Sequence, residues 1–319
     1  MSTSRTRVSF GIKTSQSNVT YDQILKLWLE AEQIPVFEHA WLWDHFIPLR
    51  GPTNGAALES WTLLAALAAQ TRRLRLGVIV TSNRIRPPAV LAKMAATVDV
   101  IAEGRLVFGI GAGGSALSDP ALLQMVHREY DAYGIPVVPT TEAVGALGEA
   151  CTIIERMWTE DEPFDFEGRF YRLKGAICEP KPVQRPRPPI MIGAAGEKLA
   201  LRVVAEHADI WNCPTRGDVD EFRRKSVVLD DHCVAIGRDP SEIRRSVQLL
   251  IGAGQSAGAA TSGANNLPPV LDPAATRDLL VNFIEAGANH LVLAPIGVSP
   301  GWLADEVVEP VLAAVGQPL

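Results

Sequence analysis

The sequence predicts a closed (β/α)8 barrel, and two observations carry that prediction. Eight short β-branched runs alternate with helical patterns along the 319 residues, and no linker or break in composition divides them. Strand–helix alternation implies a parallel sheet with helices outside. Eight such strands favour closure into a barrel over an open doubly wound sheet. No repeat of ~20–50 residues is visible, so residues 1–319 read as a single domain.

Each element has its own signal. The first strand is Val8–Ile12, and Tyr21–Gln33 follows with Ile24, Leu25, Trp28 and Leu29 on one apolar helical face. Ala40–Trp43 is the second strand. Leu58–Gln70 and Pro88–Ile101, both Ala/Leu-rich, precede the third and fourth strands at Leu74–Val80 and Leu106–Ile110. Ile190–Ile192, Ala208–Trp211 and Ser246–Ile251 come next. Asp272-Pro273 reads as an N-cap with proline at the first helical position, opening Ala274–Ala286. Gly287 ends that helix before the last strand, His290–Leu293.

Two stretches interrupt the alternation. An insertion over about 114–189 follows the fourth strand. It holds a helix at Thr141–Trp158, a hairpin-like piece at Phe164–Tyr171 and a proline-rich tail at Pro180–Pro189. A Gly/Ala/Ser/Asn-rich, flexible loop over about 252–269 follows the seventh. Long loops in compact domains are commonly functional or disordered. Both follow carboxyl ends of strands, where barrel enzymes keep their active sites.

Composition excludes several classes. Hydrophobic residues are 47% and charged residues 21%, an ordinary globular balance. A net charge of −6 argues against nucleic-acid partners, which need a basic face. No apolar run reaches the ~18 residues of a membrane span, and Met1–Lys13 has no signal-peptide core. Cys151, Cys178, Cys213 and Cys233 are scattered without zinc spacing, so they read as reduced thiols of a cytoplasmic protein and no metal is expected.

The chemistry-bearing residues fall at strand ends. Trp43-Asp44-His45-Phe46 ends the second strand, which puts an Asp-His pair in the barrel mouth. Gly109-Ile110-Gly111-Ala112-Gly113-Gly114 satisfies G-x-G-x-x-G, but no helix and acidic strand end follow at Rossmann spacing. Glycines there let something flat approach the backbone. Gly193-Ala194-Ala195-Gly196-Glu197-Lys198 opens a helix after the fifth strand, a plausible anion site. Thr215-Arg216-Gly217-Asp218, after the sixth, suits phosphate, though it is also ordinary turn chemistry. Arg84 and Arg86 either hold an anion or solvate a loop. His39, His207, His232 and His290 read as surface or packing residues, and His127 has no assigned place.

In this order, these pieces resemble the luciferase-like monooxygenase superfamily, in particular its coenzyme F420-dependent oxidoreductases. The matching stretches include Trp41–Phe46, Leu76–Thr81 with Pro88–Met94, Gly104–Leu106 through Gly109–Gly113, Phe166–Tyr171, Pro188–Gly193 and Ala208–Asn212. The resemblance implies a (β/α)8 barrel, a homodimer, and a flavin-type cofactor at the mouth. It implies that Asp44 and His45 face a deazaflavin and that a non-prolyl cis peptide near Ile79-Val80, ahead of Thr81, supports its ring. Ala112, Gly113, Ala194, Ala195 and Gly196 would lie along the cofactor, and Pro214, Thr215 and Arg216 would bind its phosphate. The sequence departs from the sugar-phosphate dehydrogenase branch. Gly114 stands where that branch has a proton-donating glutamate, Leu49 where it has a tryptophan, and Gly217 where it has a lysine. The resemblance thus implies an F420-dependent oxidoreductase that moves a hydride to or from a small organic substrate, with His45 as catalytic acid or base. The alternatives are an FMN-dependent monooxygenase using O2 and a non-catalytic flavin- or ligand-binding barrel. The apolar helix Leu58–Gln70 is a candidate dimer face.

Overall fold

A computed structural model describes residues 7–49, 54–114, 120–252 and 270–318. The barrel strands are β1 (Ser9–Lys13), β2 (Phe37–Leu42), β3 (Arg75–Val78) with β4 (Thr81–Ser82), β5 (Phe108–Gly111), β8 (Ile190–Gly193), β9 (Ile210–Cys213), β10 (Arg244–Gly252) and β12 (His290–Ile296). They pair in parallel in the order β3-β2-β1-β12-β10-β9-β8-β5-β4. β3 and β4 are two halves of the third barrel strand. They are divided at Ile79-Val80, whose peptide is cis, where the resemblance placed it. Leu76 bridges Leu106, and Thr81–Ser82 pairs with Ile110–Gly111, which closes the ring. All eight expected strands are present, and the fold is a (β/α)8 barrel with its insertion after the fourth strand.

Helices α1 (Tyr21–Gln33), α2 (Ser60–Gln70), α3 (Pro88–Ile101), α6 (Ala200–His207), α7 (Val219–Ala235) and α8 (Pro273–Glu285) cover the outside. Local chemistry sets their starts. Thr20 and Gln23 form a capping box on α1, and Asp272 accepts from Ala275 N at 2.9 Å ahead of Pro273. The apolar face of α2 packs inward: Trp61, Leu64, Leu67 and Ala68 are buried. That burial removes the reason for reading this helix as a dimer face.

The insertion contains α4 (Pro120–Ala132), α5 (Thr140–Thr159) and an antiparallel hairpin, β6 (Phe164–Glu167) with β7 (Arg172–Ala176). α5 and the hairpin match the sequence expectation. α4 is a helix for which the sequence pattern predicted no element. The short β11 (Val270–Leu271) pairs with β10. The loop expected over 252–269 lies outside the described residues, apart from Gly252 at the end of β10.

Inside the barrel, Trp41, Ile79, Val107, Met191, Ile210 and Val292 form an apolar layer. Beside it lies a polar layer. His39 and His290 stack with ring centroids 4.0 Å apart, and Trp41 Nε1 donates to His39 Nδ1 at 2.6 Å. Gly11 makes this possible, because a Cβ there would overlap the His39 ring.

Candidate active site

At the carboxyl end of the strands is a cavity of about 390 Å³, within the ordinary range of ligand pockets. Three arcs of the barrel line it. β2 supplies Trp43, Asp44 and His45. β4, β5 and β8 supply Val80 to Ser82, Gly111 to Gly114 and Gly193 to Gly196. β9, β10 and β1 supply Asn212, Pro214, Gln248 and Lys13. Above them, α4 and α5 add Val126, Glu129, Tyr130, Val144 and Leu147. Eleven of the thirteen residues expected at the site line this cavity: Asp44, His45, Ile79, Val80, Thr81, Ala112, Gly113, Ala194, Ala195, Gly196 and Pro214.

Thr215 and Arg216 are not among the lining residues. Thr215 is buried, and Arg216 and Gly217 take positive φ in the turn before Asp218 caps α7. This turn stands beside Pro214, outside the cavity wall.

The Asp44 carboxylate is fully occupied. It accepts from Ser60 Oγ at 2.6 Å, Ser82 N at 3.0 Å, and the two Arg86 nitrogens at 2.9 and 3.1 Å. Arg86 also pairs with Glu59. Such a bidentate, buried pair fixes geometry. Asp44 therefore ties the ends of β2, β4 and α2 together, and Arg86 is its counter-ion rather than a ligand for a bound anion or a solvated loop residue. The Asp-His pair divides its work: Asp44 holds the loops, and His45 faces the cavity.

His45 has a partner that sequence reasoning missed. Its Nδ1 lies 2.9 Å from Glu129 Oε2. The His45 side chain is 26% exposed and that of Glu129 only 1%, so the carboxylate is enclosed while the imidazole meets the cavity. Glu129 Oε1 also accepts from the backbone N–H groups of Phe46 and Ile47. One side chain from α4 thus orients the ring and clamps the loop behind it. The available signal was a carboxylate on the same helical face as Val126 and Tyr130, which are also buried. The absent acid at Gly114 has a steric explanation: Val126 of α4 occupies the space a side chain there would need.

The glycines serve a different neighbour from the one expected. A Cβ on Gly111 or Gly193 would come within 2.9 and 2.8 Å of Val80 Cγ2. They admit the Val80 side chain beside the cis peptide, and the wall is completed by Ala112, Gly113, Ala194, Ala195 and Gly196. Tyr130 closes one edge, with its OH 2.8 Å from Ser82 Oγ and accepting from Gly114 N at 3.2 Å. Burial pushes its phenol above the usual range. Among the described residues no cluster suits a metal ion, and no helix is long and apolar enough to cross a membrane.

Comparisons with known proteins agree with this architecture. A family model described as luciferase-like monooxygenase matches residues 4–288. An F420-dependent glucose-6-phosphate dehydrogenase of Intrasporangium calvum is 31% identical over 78% of this chain and 71% of its own length. A phthiodiolone/phenolphthiodiolone dimycocerosates ketoreductase of Mycobacterium sp. (strain JLS) is 31% identical over 64% of this chain, which spans half the length of that relative. Among solved structures, an F420-dependent secondary alcohol dehydrogenase in complex with an F420-acetone adduct superposes with a TM-score of 0.80. It covers 96% of this chain and 99% of that one, at 18% identity. An F420-dependent tetrahydromethanopterin reductase from Methanopyrus kandleri gives 0.74, covering 95% and 99% at 19% identity. At those identities the structures speak to the fold alone, whereas the family model spans most of the sequence: the chain belongs to the luciferase-like monooxygenase family.

Proposed function

We propose that the protein is an F420-dependent oxidoreductase acting on a small carbonyl-type or unsaturated organic substrate. The observation that carries this reading is the half-exposed His45, held by the enclosed Glu129 in the same cavity as a set of residues with no side chain beyond Cβ. Its support from outside the chain is the run of F420-dependent enzymes among its relatives.

The cavity suits a flavin-type ring on structural grounds. Ala112, Gly113, Ala194, Ala195 and Gly196 let a flat group lie against backbone. The Trp43 Nε1 donor is buried without a partner in a residue that lines the cavity, and buried donors are rarely left so. When bound, the deazaflavin supplies or takes the hydride. His45 handles the accompanying proton at Nε2, since Nδ1 is engaged by Glu129. Glu129 fixes the imidazole, Asp44 and Arg86 hold the strand ends, and α4 covers the cavity against water. The turn at Thr215-Arg216, beside Pro214, carries the cofactor phosphate. Arg216→Ala then weakens cofactor binding more at low salt than at high salt.

The test is a titration of purified protein with F420 and with FMN, followed by turnover with each. Selective F420 binding is expected. Comparable or tighter FMN affinity, with FMN-supported turnover, would reassign the protein as a monooxygenase. We also read the chain as a homodimer. Val90, Val100 and Ile101 of α3 are exposed apolar residues, and light scattering at micromolar protein should give twice the chain mass.

A further inference from the structure

One edge of the cavity differs from the rest. Lys13, Gln248 and Asn212 line it from β1, β10 and β9. Lys13 Nζ donates to Gln248 Oε1 at 2.7 Å, and Gln248 Nε2 donates to Asn212 Oδ1 at 3.2 Å. Asn212 Nδ2 lies 3.2 Å from Ser246 Oγ, which lies 2.9 Å from His290 Nδ1. An ammonium can only donate, so it sets the direction of every amide behind it. Each amide accepts at oxygen and donates at nitrogen. The Ser246 hydroxyl passes the last donor to His290, which burial keeps uncharged and able to accept. The chain reaches from the polar layer inside the barrel to the cavity, and it holds the ammonium at that edge.

The surrounding charges give the ammonium its meaning. Lys13 is the one lysine or arginine among the described residues lining the cavity. A flavin-type ring has one largely carbocyclic edge and one edge of N–C=O groups. Two-electron reduction loads that second edge with electron density, and a cation held nearby attracts it more strongly afterwards.

We infer that Lys13, oriented by Gln248 and Asn212, binds the N–C=O edge of the flavin-type ring and favours its reduced form over its oxidised form. This rests on a flavin-type ring occupying the cavity, but not on which one, because F420 and FMN share that edge.

The experiment titrates wild-type, Lys13→Met and Lys13→Arg proteins anaerobically with oxidised and reduced cofactor, reading Kd by calorimetry. F420 is the probe, or FMN if the wild type prefers it. Lys13→Met should weaken binding of the reduced form by about tenfold and of the oxidised form by less than about threefold. Lys13→Arg should restore most of the preference. Equal losses for both forms, or no loss, would overturn the inference. Unchanged Kd values with a raised KM for the organic substrate would also overturn it, by giving the ammonium to the substrate. If Lys13→Met fails to fold by circular dichroism, Gln248→Leu, which loosens the ammonium without removing it, must show the same bias toward the reduced form. Wild-type protein that binds neither cofactor defeats the proposed function, and this site with it. FMN binding in place of F420 defeats only the proposed function.

Discussion

His39 and His290 stand inside the amino end of the barrel, while His45 stands at its carboxyl end. The inner pair is buried, stacked ring on ring, and each ring takes a neutral hydrogen bond at Nδ1, from Trp41 and Ser246. Burial, reinforced by the Arg244 charge, pushes the His39 imidazole down to about 3, and burial pushes His290 down as well. His45 is partly open and touches a carboxylate. One residue type therefore does two jobs in one barrel. Enclosed without an acid, an imidazole is packing; half-open at the cavity beside an acid, it is placed to pass a proton to a bound group.

The largest effect should come from breaking the outer member of this comparison. His45→Ala is expected to lower kcat by ~100-fold or more, the usual scale for losing a general acid or base. Cofactor affinity should change much less, since the small-residue wall is untouched. Near-normal turnover in steady-state kinetics would make His45 as structural as His39.

The contrast was only half legible in the sequence. Asp44-His45 could be placed at the mouth because it ends a strand, and strand ends follow from local pattern. His39 and His290 were placed as packing or surface residues on the same logic. What local pattern could not supply was the long-range partner of each group. Glu129 reaches His45 across 84 positions, and Arg86 reaches Asp44 across 42. The first pairing depends on how the insertion folds back over the mouth, and the second on how the segment between β4 and α3 meets the end of β2. The same limit explains the glycines: their smallness was visible, but the neighbour that needs it, Val80, was not.

A second test strikes the inner pair. Gly11→Ala would place a methyl group on the His39 ring. Overpacking of this kind costs ~1–3 kcal/mol, read as a lower midpoint in urea. A midpoint within error of wild type would mean that the polar layer is loosely packed.

Acid should act on the same pair. In the unfolded chain these imidazoles titrate near ~6.5; in the folded chain His39 holds out to about 3. Between those values the unfolded state binds more protons, so stability falls as pH drops below ~6.5. The loss is up to ~1.4 kcal/mol per pH unit for each such histidine, and nothing is lost above that range. Calorimetry at pH 7.5 and 5.5 should show Tm falling in wild type and falling less in His39→Gln. Equal falls would assign the acid sensitivity to other groups.

The smallest expected effect probes what separates His45 from the inner histidines, namely its carboxylate. Glu129→Gln keeps the shape and one oxygen, so the Phe46 and Ile47 amides can still be held. The change falls on the other oxygen, 2.9 Å from His45 Nδ1. A carboxylate there requires Nδ1 to carry its proton, whereas an amide NH2 requires Nδ1 to accept. The substitution therefore moves the ring proton to Nε2 and takes the carboxylate charge away from the ring. Turnover should fall by ~3- to 10-fold, about 1 kcal/mol in the barrier, with cofactor Kd unchanged. Nitrogen chemical shifts of His45 should report the exchanged tautomer. If the tautomer exchanges and turnover holds, the proton that matters is donated from Nε2, and His45 works as an acid. If neither changes, Glu129 only ties α4 to the loop, and His45 differs from the inner pair by exposure alone.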